Sequence, residues 1–147
     1  MSILFVEHLS FKYLQAKTNA LNDVTCEFQP ATVTAIVGAN GAGKSTLCYA
    51  LAGFVPHFFN GEMQGRVRVN GADTKESSLA ELVTQVGMVF QNPFNQISGA
   101  KLTVTEEIAF GLENLGVPRG EMETRIARAL DLFGLERVAQ QSPFALS

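Results

Sequence analysis

Apolar and polar positions alternate along the first third of the chain, which is the pattern of half-buried β-strands. The segment Ile3–Tyr13 is rich in β-branched and aromatic residues, and Leu21–Phe28 alternates until Pro30 stops it. Three shorter apolar runs also predict strands: Thr32–Val37, Arg66–Val69 and Val86–Phe90. Asn70 and Gly71 predict a tight turn directly after the second of these runs.

Helix signals are weaker before residue 91 and stronger after it. Two short helices are predicted in the first part, Ser45–Ala52, which Gly53 ends, and Leu79–Gln85, which is a turn or two long. Further along, Thr103–Glu106 has the spacing of a capping box, in which a threonine and a glutamate satisfy each other's backbone N–H groups. This box predicts a helix that runs to about Leu115.

A second long helix is predicted directly afterwards. Pro118 suits its first turn and Gly134 suits its C-terminal cap. Its apolar residues share one face: Met122, Ile126, Ala129, Leu130 and Phe133. Because strands come first and a block of helices follows, the order predicts an α/β core with a helical lobe.

The composition indicates a folded, apolar-rich chain of one domain. Of the 147 residues 46% are apolar and only 17% are charged, against about 25% charged in an average domain. This excludes a disordered chain and suggests that part of the surface is covered by something else. No apolar run approaches the ~18 residues of a membrane span. A net charge of −3 without a basic stripe disfavours nucleic acid as a partner.

The strongest chemical signal is the segment Gly38–Ser45, which matches the phosphate-binding pattern G-x-x-x-x-G-K-[ST] in full. It follows a predicted strand and precedes a predicted helix, as the motif requires. Three glycines let the backbone bend and approach a phosphate without a Cβ in the way: Gly38, Gly41 and Gly43. A glycine-rich strand-to-helix turn that binds nothing is the alternative.

The other residues of this loop have distinct predicted roles. Lys44 supplies a positive charge for the β- and γ-phosphates, Ser45 offers a hydroxyl to Mg²⁺, and Thr46 can add a hydrogen bond. The loop N–H groups and the helix N-terminus attract the anion. The complete predicted phosphate-contact set is Gly38, Asn40, Gly41, Ala42, Gly43, Lys44, Ser45 and Thr46.

Two segments that flank the loop resemble those of ABC-type ATPases. Phe11–Tyr13 precedes the second strand by the interval at which that family places an adenine-stacking aromatic, and Gly87–Pro93 resembles the family's Q-loop. The resemblance implies that Tyr13 stacks on adenine and that Gln91 reaches Mg²⁺ and the attacking water, with a neutral side chain that both donates and accepts. The alternatives are an ordinary strand aromatic and a polar residue that ends a strand.

A narrower resemblance is to the energy-coupling-factor (ECF) subclass of ABC importers. It is carried by residues 91–96 and 102–114, while Val55–Gly61 and Gly65–Gly71 resemble the first half of fused two-ATPase ECF proteins. It covers essentially the whole chain and implies Mg-ATP-driven uptake of a vitamin or a transition-metal ion. The implied fold is an α/β P-loop NTPase core, partial, with an antiparallel β-subdomain and a helical subdomain.

The same resemblance implies a division of the chain and a set of partners. Residues 1–91 would form the β-subdomain and an incomplete P-loop core, and residues 92–147 the Q-loop and a truncated helical subdomain. A second ATPase domain would pair head to tail, at the cytoplasmic face of the cell membrane, where the protein is peripheral. A transmembrane coupling subunit would dock beside Gln91, near Phe94, Asn95, Gln96 and Ile97. Local core packing is the alternative for Phe94 and Ile97.

The final pair, Leu146 and Ser147, is similar to the first two letters of the family's signature motif, so we expect the chain to be the N-terminal part of a longer ATPase. None of its three aspartates closes an apolar strand before a glutamate, and its two histidines both precede Gln91, on the wrong side for a switch histidine. Hydrolysis needs such groups beside the γ-phosphate. We therefore expect negligible ATP turnover by these 147 residues alone.

Two other hypotheses remain open from the sequence. One is a non-transport P-loop enzyme such as a small kinase, which would need a metal-binding aspartate after an apolar strand and a lid within the chain. The other is a binding or interaction fragment that retains the phosphate loop without activity. Nucleotide titration with and without Mg²⁺ separates this last hypothesis from a functional ATP site.

Overall fold

A computed structural model describes residues 3–146 of the chain. The chain forms two compact units, Met1–Met88 and Val89–Ser147. The division falls at residue 88, close to the division predicted at residue 91. The assignment of separate functions to the two parts stays a prediction.

The first unit is built on an antiparallel sheet with the strand order β2-β1-β3-β4. The strands are β1 (Leu4–Tyr13), β2 (Leu21–Phe28), β3 (Gly61–Val69) and β4 (Ala72–Asp73). The helices are α1 (Lys44–Leu51), α2 (Phe54–His57) and α3 (Leu79–Leu82). Because β1 has a long partner on both sides, it supplies the centre of the buried face.

The core of this unit joins one face of the sheet to α1. Its buried members from the sheet and from α2 are Val6, Leu9, Phe11, Leu21, Val55 and Val67, and those from α1 are Leu47, Ala50 and Leu51. Burying one side chain of the size of valine or leucine contributes about 1.5–3 kcal/mol. This packing holds α1, and therefore the loop that precedes it, against the sheet.

Most local predictions for this unit are confirmed. The strand predicted over Ile3–Tyr13 is observed as Leu4–Tyr13, Leu21–Phe28 is a strand with the predicted bounds, and Arg66–Val69 is the second half of β3. The turn at Asn70 and Gly71 is confirmed, with φ of 49° and 87°. Positive φ at both central residues is the signature of a type I′ turn, which this pair of residues favours.

β1 and β2 each carry one extra residue where they pair. His8 and Asp23 have φ of 49° and 48°, and the register shifts on both sides of Leu9. The backbone N–H of His8 donates to Thr25 Oγ1 at 3.0 Å. The backbone N–H of Asp23 donates to Ser10 Oγ at 2.9 Å. Side-chain hydroxyls thus replace the missing ladder bonds, and bulges of this kind bend and twist a sheet.

The bulge gives the fold a predicted pH dependence. Nδ1 of His8 lies 2.7 Å from Asp23 Oδ1, and the hydrogen bond and charge of Asp23 raise the pKa of His8 above 6.5, with a further contribution from Glu7. A raised folded-state pKa stabilises the fold fully below the unfolded pKa of about 6.5, and this stabilisation is lost as the pH rises through the folded pKa. We expect the thermal midpoint to fall from about pH 6 to about pH 8. In Asp23→Asn this fall in the thermal midpoint should be much smaller, because only Glu7 still raises the pKa of His8. A fall as large as in the natural protein would contradict the prediction.

Two predicted strands, Thr32–Val37 and Val86–Phe90, are wrong, because the structure gives both segments an irregular backbone. Val33, Val37 and Val89 are 103%, 86% and 85% exposed. A strand needs a hydrogen-bonded neighbour, and none of the four strands described here pairs with either segment. High β-propensity alone therefore does not make a strand.

Thr74 lies at the end of the β3–β4 hairpin and is fully buried. Its N–H donates to the Val67 carbonyl at 2.9 Å, and its own carbonyl accepts a hydrogen bond from Nε2 of His57 at 2.8 Å. Among the residues that the structure describes, its hydroxyl has no partner. His57 thus packs against the loop that follows β4, while the unpartnered Thr74 hydroxyl is a cost to stability.

Replacing Thr74 with valine removes the unpartnered hydroxyl and keeps the shape of the side chain. An unsatisfied buried hydroxyl costs about 1–3 kcal/mol, so we expect Thr74→Val to raise the free energy of unfolding by about 1 kcal/mol. Urea denaturation measures this change. Thr74→Ser, which keeps the hydroxyl and loses the methyl group, is the matched control and is expected to destabilise. A valine variant less stable than the natural protein would show that the hydroxyl is satisfied after all.

The second unit is helical. Its helices are α4 (Val104–Asn114) and α5 (Arg119–Phe133), and it has three single 3₁₀ turns, Pro93–Asn95, Glu136–Val138 and Pro143–Ala145. The predicted capping box is confirmed: the Glu106 N–H donates to Thr103 Oγ1 at 3.2 Å, and the Thr103 N–H donates to Glu106 Oε2 at 3.0 Å. Across residues 3–146, no helix has both the length and the apolarity to cross a membrane.

The helix predicted after Pro118 is confirmed with one shift. Pro118 stands at the N-cap rather than inside the first turn, and Gly134 is the C-cap with φ of 63°. The predicted apolar stripe is only half-buried along most of its length, and Phe133 at its end is 71% exposed. The stripe therefore marks a face of α5 that the described residues cover incompletely.

Candidate functional site

The glycine-rich loop is an exposed turn that leads into α1. Gly41 and Gly43 have φ of 80° and 87°, in the left-handed region that only glycine adopts without strain. The N–H of Ala42 donates to the carbonyl of Ala39 at 3.2 Å and closes the turn. The loop conformation therefore depends on glycine at two of the three predicted positions.

Gly43 also touches the sheet. A Cβ at this position would collide with the carbonyl oxygen of Ala20 and lie 2.9 Å from Cδ2 of Leu21. At Gly41, by contrast, a Cβ would meet nothing within 4 Å. The end of the loop is therefore packed against the start of β2, while its tip projects away from the rest of the unit.

Lys44 folds over the loop. Its Nζ donates to the carbonyl oxygens of Gly38 and Ala39 at 2.9 and 2.8 Å. The ammonium group is thereby held above the first residues of the loop by the loop's own backbone. A positive charge is fixed next to the exposed turn that the sequence motif assigns to phosphate.

The N-terminus of α1 is suited to an anion. The Leu47 N–H donates to the Gly43 carbonyl at 2.9 Å, whereas the earlier amides of a helix have no intrahelical partner. No acidic residue lies in the first turn, so no carboxylate of α1 neutralises the positive end of the dipole. The Ser45 side chain is exposed there, and its hydroxyl bonds to no other group of the described residues.

Tyr13, at the end of β1, lies beside this helix. Its hydroxyl is 3.0 Å from Thr46 Oγ1, and Thr46 is only 6% exposed. The Tyr13 ring is in edge contact with Phe11, with centroids 4.9 Å apart, and with Phe59, with centroids 6.4 Å apart. The structure thus brings together the predicted base-contacting ring and the predicted phosphate loop, although no pattern in the sequence predicts a bond between them.

Gln91 lies in the second unit and is exposed. Around it, the Phe90 N–H donates to Gln96 Oε1 at 3.0 Å, and the Phe94 N–H donates to Asn92 Oδ1 at 3.1 Å. Phe94 is 60% exposed. The segment is therefore a turn shaped by its own amide side chains, and the roles predicted for Gln91 at Mg²⁺ and water stay predictions.

The sequence did not predict the side-chain contacts that follow this segment. Glu107, on α4, accepts hydrogen bonds from the N–H and the hydroxyl of Ser98. Lys101 pairs with Glu113 at 2.7 Å and lies 5.8 Å from the centre of the Phe110 ring. The capping box identified Glu106 because its partner is three residues away, but the Ser98 contact spans nine residues and has no local pattern.

The local hydrogen bonds also affect the acid of the capping box. The Thr103 hydroxyl and the backbone N–H groups of Leu102 and Thr103 hold the pKa of Glu106 below its usual value. The carboxylate is therefore charged at neutral pH, at the N-terminus of α4, where the helix dipole favours it.

These features can be compared with those of known proteins. The model of the family described as "ABC transporter" matches residues 21–147. The chain belongs to the ABC transporter family. This membership agrees with the glycine-rich loop, the lysine above it and the helix that follows.

Similar proteins and solved structures support the membership of this chain in the ABC transporter family. A putative ABC transporter ATP-binding protein of Pyrococcus abyssi is 48% identical over 100% of the chain and 52% of the relative. The energy-coupling factor transporter ATP-binding protein EcfA1 of Lacticaseibacillus paracasei is 42% identical over 99% of the chain and 50% of the relative. CbiO1 from Clostridium perfringens, part of the ABC transporter complex cbiONQ, has a TM-score of 0.81 at 31% identity, over 99% of this chain and 56% of that one.

The comparisons confirm the predicted fold class, a partial α/β ABC ATPase fold with an antiparallel sheet and a helical part. They also confirm the resemblance to ECF ATP-binding proteins. The chain spans about half the length of the curated relatives it matches.

Proposed function

We propose that this ABC chain binds Mg-ATP through the glycine-rich loop, as part of the ATP-binding subunit of an ECF-type importer. The observation that carries the proposal is the position of Lys44, whose ammonium lies 2.8–2.9 Å from two loop carbonyls at the start of α1. An exposed turn, a fixed positive charge and a helix N-terminus without acidic residues form an anion site.

The described residues have separable roles in this proposal. Lys44 exchanges its carbonyl contacts for the β- and γ-phosphate oxygens, and the loop N–H groups from Gly38 to Thr46 donate to the remaining oxygens. Glycine at positions 41 and 43 permits the required backbone. Tyr13 offers its ring to adenine, beside the first turn of α1.

The Ser45 hydroxyl also fits Mg²⁺, a hard cation that takes oxygen ligands. Ser45 carries an exposed hydroxyl at the start of α1, and Gln91 is an exposed amide in the second unit. When bound, the metal neutralises the developing charge on the phosphates. We propose that Ser45 holds it directly. The proposed role of Gln91 at Mg²⁺ and the attacking water rests on the Q-loop resemblance alone.

A titration of the protein with ATP, in the presence and in the absence of Mg²⁺, tests the proposed site. We expect saturable binding of ATP that Mg²⁺ strengthens, and weaker binding of AMP, which lacks the β- and γ-phosphates that Lys44 would contact. If the protein binds ATP and AMP equally, or binds neither, the proposal is wrong.

Hydrolysis by the 147 residues alone is proposed to be negligible. The chain has three aspartates, and two of them have other partners: Asp23 pairs with His8, and Asp73 accepts a hydrogen bond from the Lys75 N–H at 2.9 Å. The third, Asp131, lies on α5. Phosphate release well above that of a Lys44→Ala variant would contradict this part of the proposal.

The ECF assignment rests on EcfA1, which is named as a transporter ATP-binding protein, and on CbiO1, which is part of a transporter complex. We propose a second ATPase domain as a head-to-tail partner and a transmembrane coupling subunit as the partner of the turn after Gln91. The protein would then be peripheral to the cytoplasmic face of the membrane, and the solute would be a vitamin or a metal ion.

The proposed docking of the turn can be tested at Phe94, which is 60% exposed. We expect Phe94→Asp to abolish co-purification with the transmembrane coupling subunit, because a charge cannot enter an apolar groove without losing its hydration. Phe144→Asp is the matched control, since Phe144 is similarly exposed at 56%. If both variants co-purify with the subunit as well as the natural protein does, the turn is not the docking surface.

A further inference from the structure

We propose that Asn40 is a site of spontaneous deamidation, and that this modification inactivates the phosphate loop. Asparagine is followed by glycine three times in the chain, at Asn40, Asn60 and Asn70. A glycine in the second position favours the reaction, because no side chain shields the backbone nitrogen that attacks. The structure leaves one of these three pairs free to react. The loss of ATP binding rests on the proposed function, whereas the modification itself does not.

The reaction needs only water as a co-reactant. The backbone nitrogen of Gly41 gives up its proton and attacks Cγ of Asn40. The bond from Cγ to the side-chain nitrogen then breaks, and this nitrogen leaves as ammonia. The product is a succinimide ring that includes the peptide nitrogen, and water opens this ring at either of its carbonyl carbons. Aspartate and isoaspartate result, and each carries a carboxylate in place of the neutral amide.

Asn40 and Gly41 are the central residues of the exposed turn at the tip of the loop. The turn is closed by the bond from the Ala42 N–H to the Ala39 carbonyl, and this bond does not use the Gly41 N–H. Nothing lies within 4 Å of the position that a Cβ at Gly41 would take. Among the described residues, no hydrogen bond holds the Asn40 side chain or the Gly41 N–H. The two groups can therefore approach each other without losing a hydrogen bond of their own.

The other two pairs are held in place. Gly61 is the first residue of β3, and a Cβ there would collide with the carbonyl oxygen of Lys12, so the peptide after Asn60 is packed against the sheet. The side-chain amide of Asn70, which would have to leave as ammonia, donates to Gln85 Oε1 at 3.2 Å. We therefore expect both pairs to react more slowly than Asn40.

The new carboxylate would lie in the turn that the proposed function assigns to phosphate. The Lys44 ammonium contacts the carbonyl of Ala39, the neighbour of Asn40, at 2.8 Å. A carboxylate at residue 40 would offset this positive charge and repel the nucleotide. Repulsion between like charges a few ångströms apart weakens binding by about 10- to 100-fold. Bound Mg-ATP would in turn hold the loop and slow the reaction, so the empty protein is the form that is inactivated.

Mass spectrometry of peptides measures the modification at each pair. The protein is incubated at mildly alkaline pH, which favours loss of the proton from the attacking nitrogen, with and without Mg-ATP, and is then digested. We expect conversion at Asn40 to be several-fold faster than at Asn60 or Asn70, and to be slowed by Mg-ATP. No conversion at Asn40, or conversion at least as fast at another pair, would overturn the inference. Equal rates with and without Mg-ATP, in a protein that binds ATP, would overturn it as well.

Calorimetric titration with Mg-ATP measures the consequence for binding. Asn40→Asp imitates the modified loop, and Asn70→Asp makes the same charge change outside it. We expect Asn40→Asp to bind Mg-ATP about 10- to 100-fold more weakly than the natural protein, and Asn70→Asp to bind it equally well. Natural affinity in Asn40→Asp, or an equal loss in Asn70→Asp, would contradict the inference.

Asn40→Gln links the two measurements, because its longer side chain forms the ring much less readily. Each protein is compared with its own starting affinity. We expect the natural protein to lose ATP affinity during the incubation and Asn40→Gln to keep its own, whereas equal losses in both would overturn the inference. If the fresh natural protein binds no ATP, the proposed function fails, and the peptide measurements still decide whether Asn40 reacts.

Discussion

Lys44→Ala is expected to abolish measurable ATP binding. In the structure the Lys44 ammonium is the charge that lies over the loop, 2.9 and 2.8 Å from the Gly38 and Ala39 carbonyls. Two charge-assisted hydrogen bonds to phosphate oxygens contribute about 1.5–3 kcal/mol each, and every 1.4 kcal/mol is about a factor of ten in affinity. We therefore expect a loss on the order of 100-fold or more, measured by calorimetric titration with Mg-ATP.

Two controls separate this loss from a general effect of charge or folding. Lys75→Ala removes the same charge from the segment after β4, and we expect it to bind ATP as the natural protein does. The Lys44 bonds are made at the exposed surface, so circular dichroism should show an unchanged fold in Lys44→Ala. Near-normal ATP affinity in Lys44→Ala would mean that the loop is not the phosphate site.

Gly43→Ala is expected to have the largest effect on stability. Gly43 has φ of 87°, and its Cβ would collide with the Ala20 carbonyl and lie 2.9 Å from Leu21 Cδ2. The left-handed conformation costs a residue with a Cβ about 1–2 kcal/mol, and forcing extra volume into a packed site costs about 1–3 kcal/mol more. We expect the free energy of unfolding to fall by about 2–5 kcal/mol, as measured by urea denaturation.

Gly41→Ala is the matched control, because Gly41 has φ of 80° but no atom within 4 Å of its would-be Cβ. It should lose only the backbone contribution of about 1–2 kcal/mol. The difference between the two variants therefore measures the contact between the loop and the start of β2. Equal losses in both would mean that the loop gives way and that this contact does not hold α1 in place.

The sequence predicted the parts of the fold that short-range chemistry decides. The capping box of Thr103 and Glu106 and the turn at Asn70 and Gly71 lie within four residues, and both are present in the structure. The phosphate loop belongs to the same class, because its glycines and Lys44 act on a stretch of eight residues. Such elements need no knowledge of the rest of the chain.

The features that the sequence did not predict depend on partners far along the chain. Thr32–Val37 has the composition of a strand, but a strand exists only where a neighbour accepts its hydrogen bonds. The bond between Tyr13 and Thr46 spans 33 residues, and the sequence predicted a separate role for each of them, base stacking for Tyr13 and a phosphate contact for Thr46. The bulge at His8 is the one long-range feature that is visible in the sequence. The buried residues Val6 and Leu9 are three positions apart, whereas buried residues of a regular strand are two apart.

That spacing has a consequence for how the sheet is encoded. The buried residues of β1 lie on one face of the sheet on both sides of the bulges. Each bulge adds one residue, His8 in β1 and Asp23 in β2, and this residue takes up the shift in the alternation of inward and outward side chains. Deleting His8 would leave Val6, Leu9 and Phe11 at every second position of β1 on that face. The curvature of the sheet thus depends on two exposed bulge residues, and its hydrophobic face depends on other positions. A change at the bulges could therefore flatten the sheet without changing its buried residues.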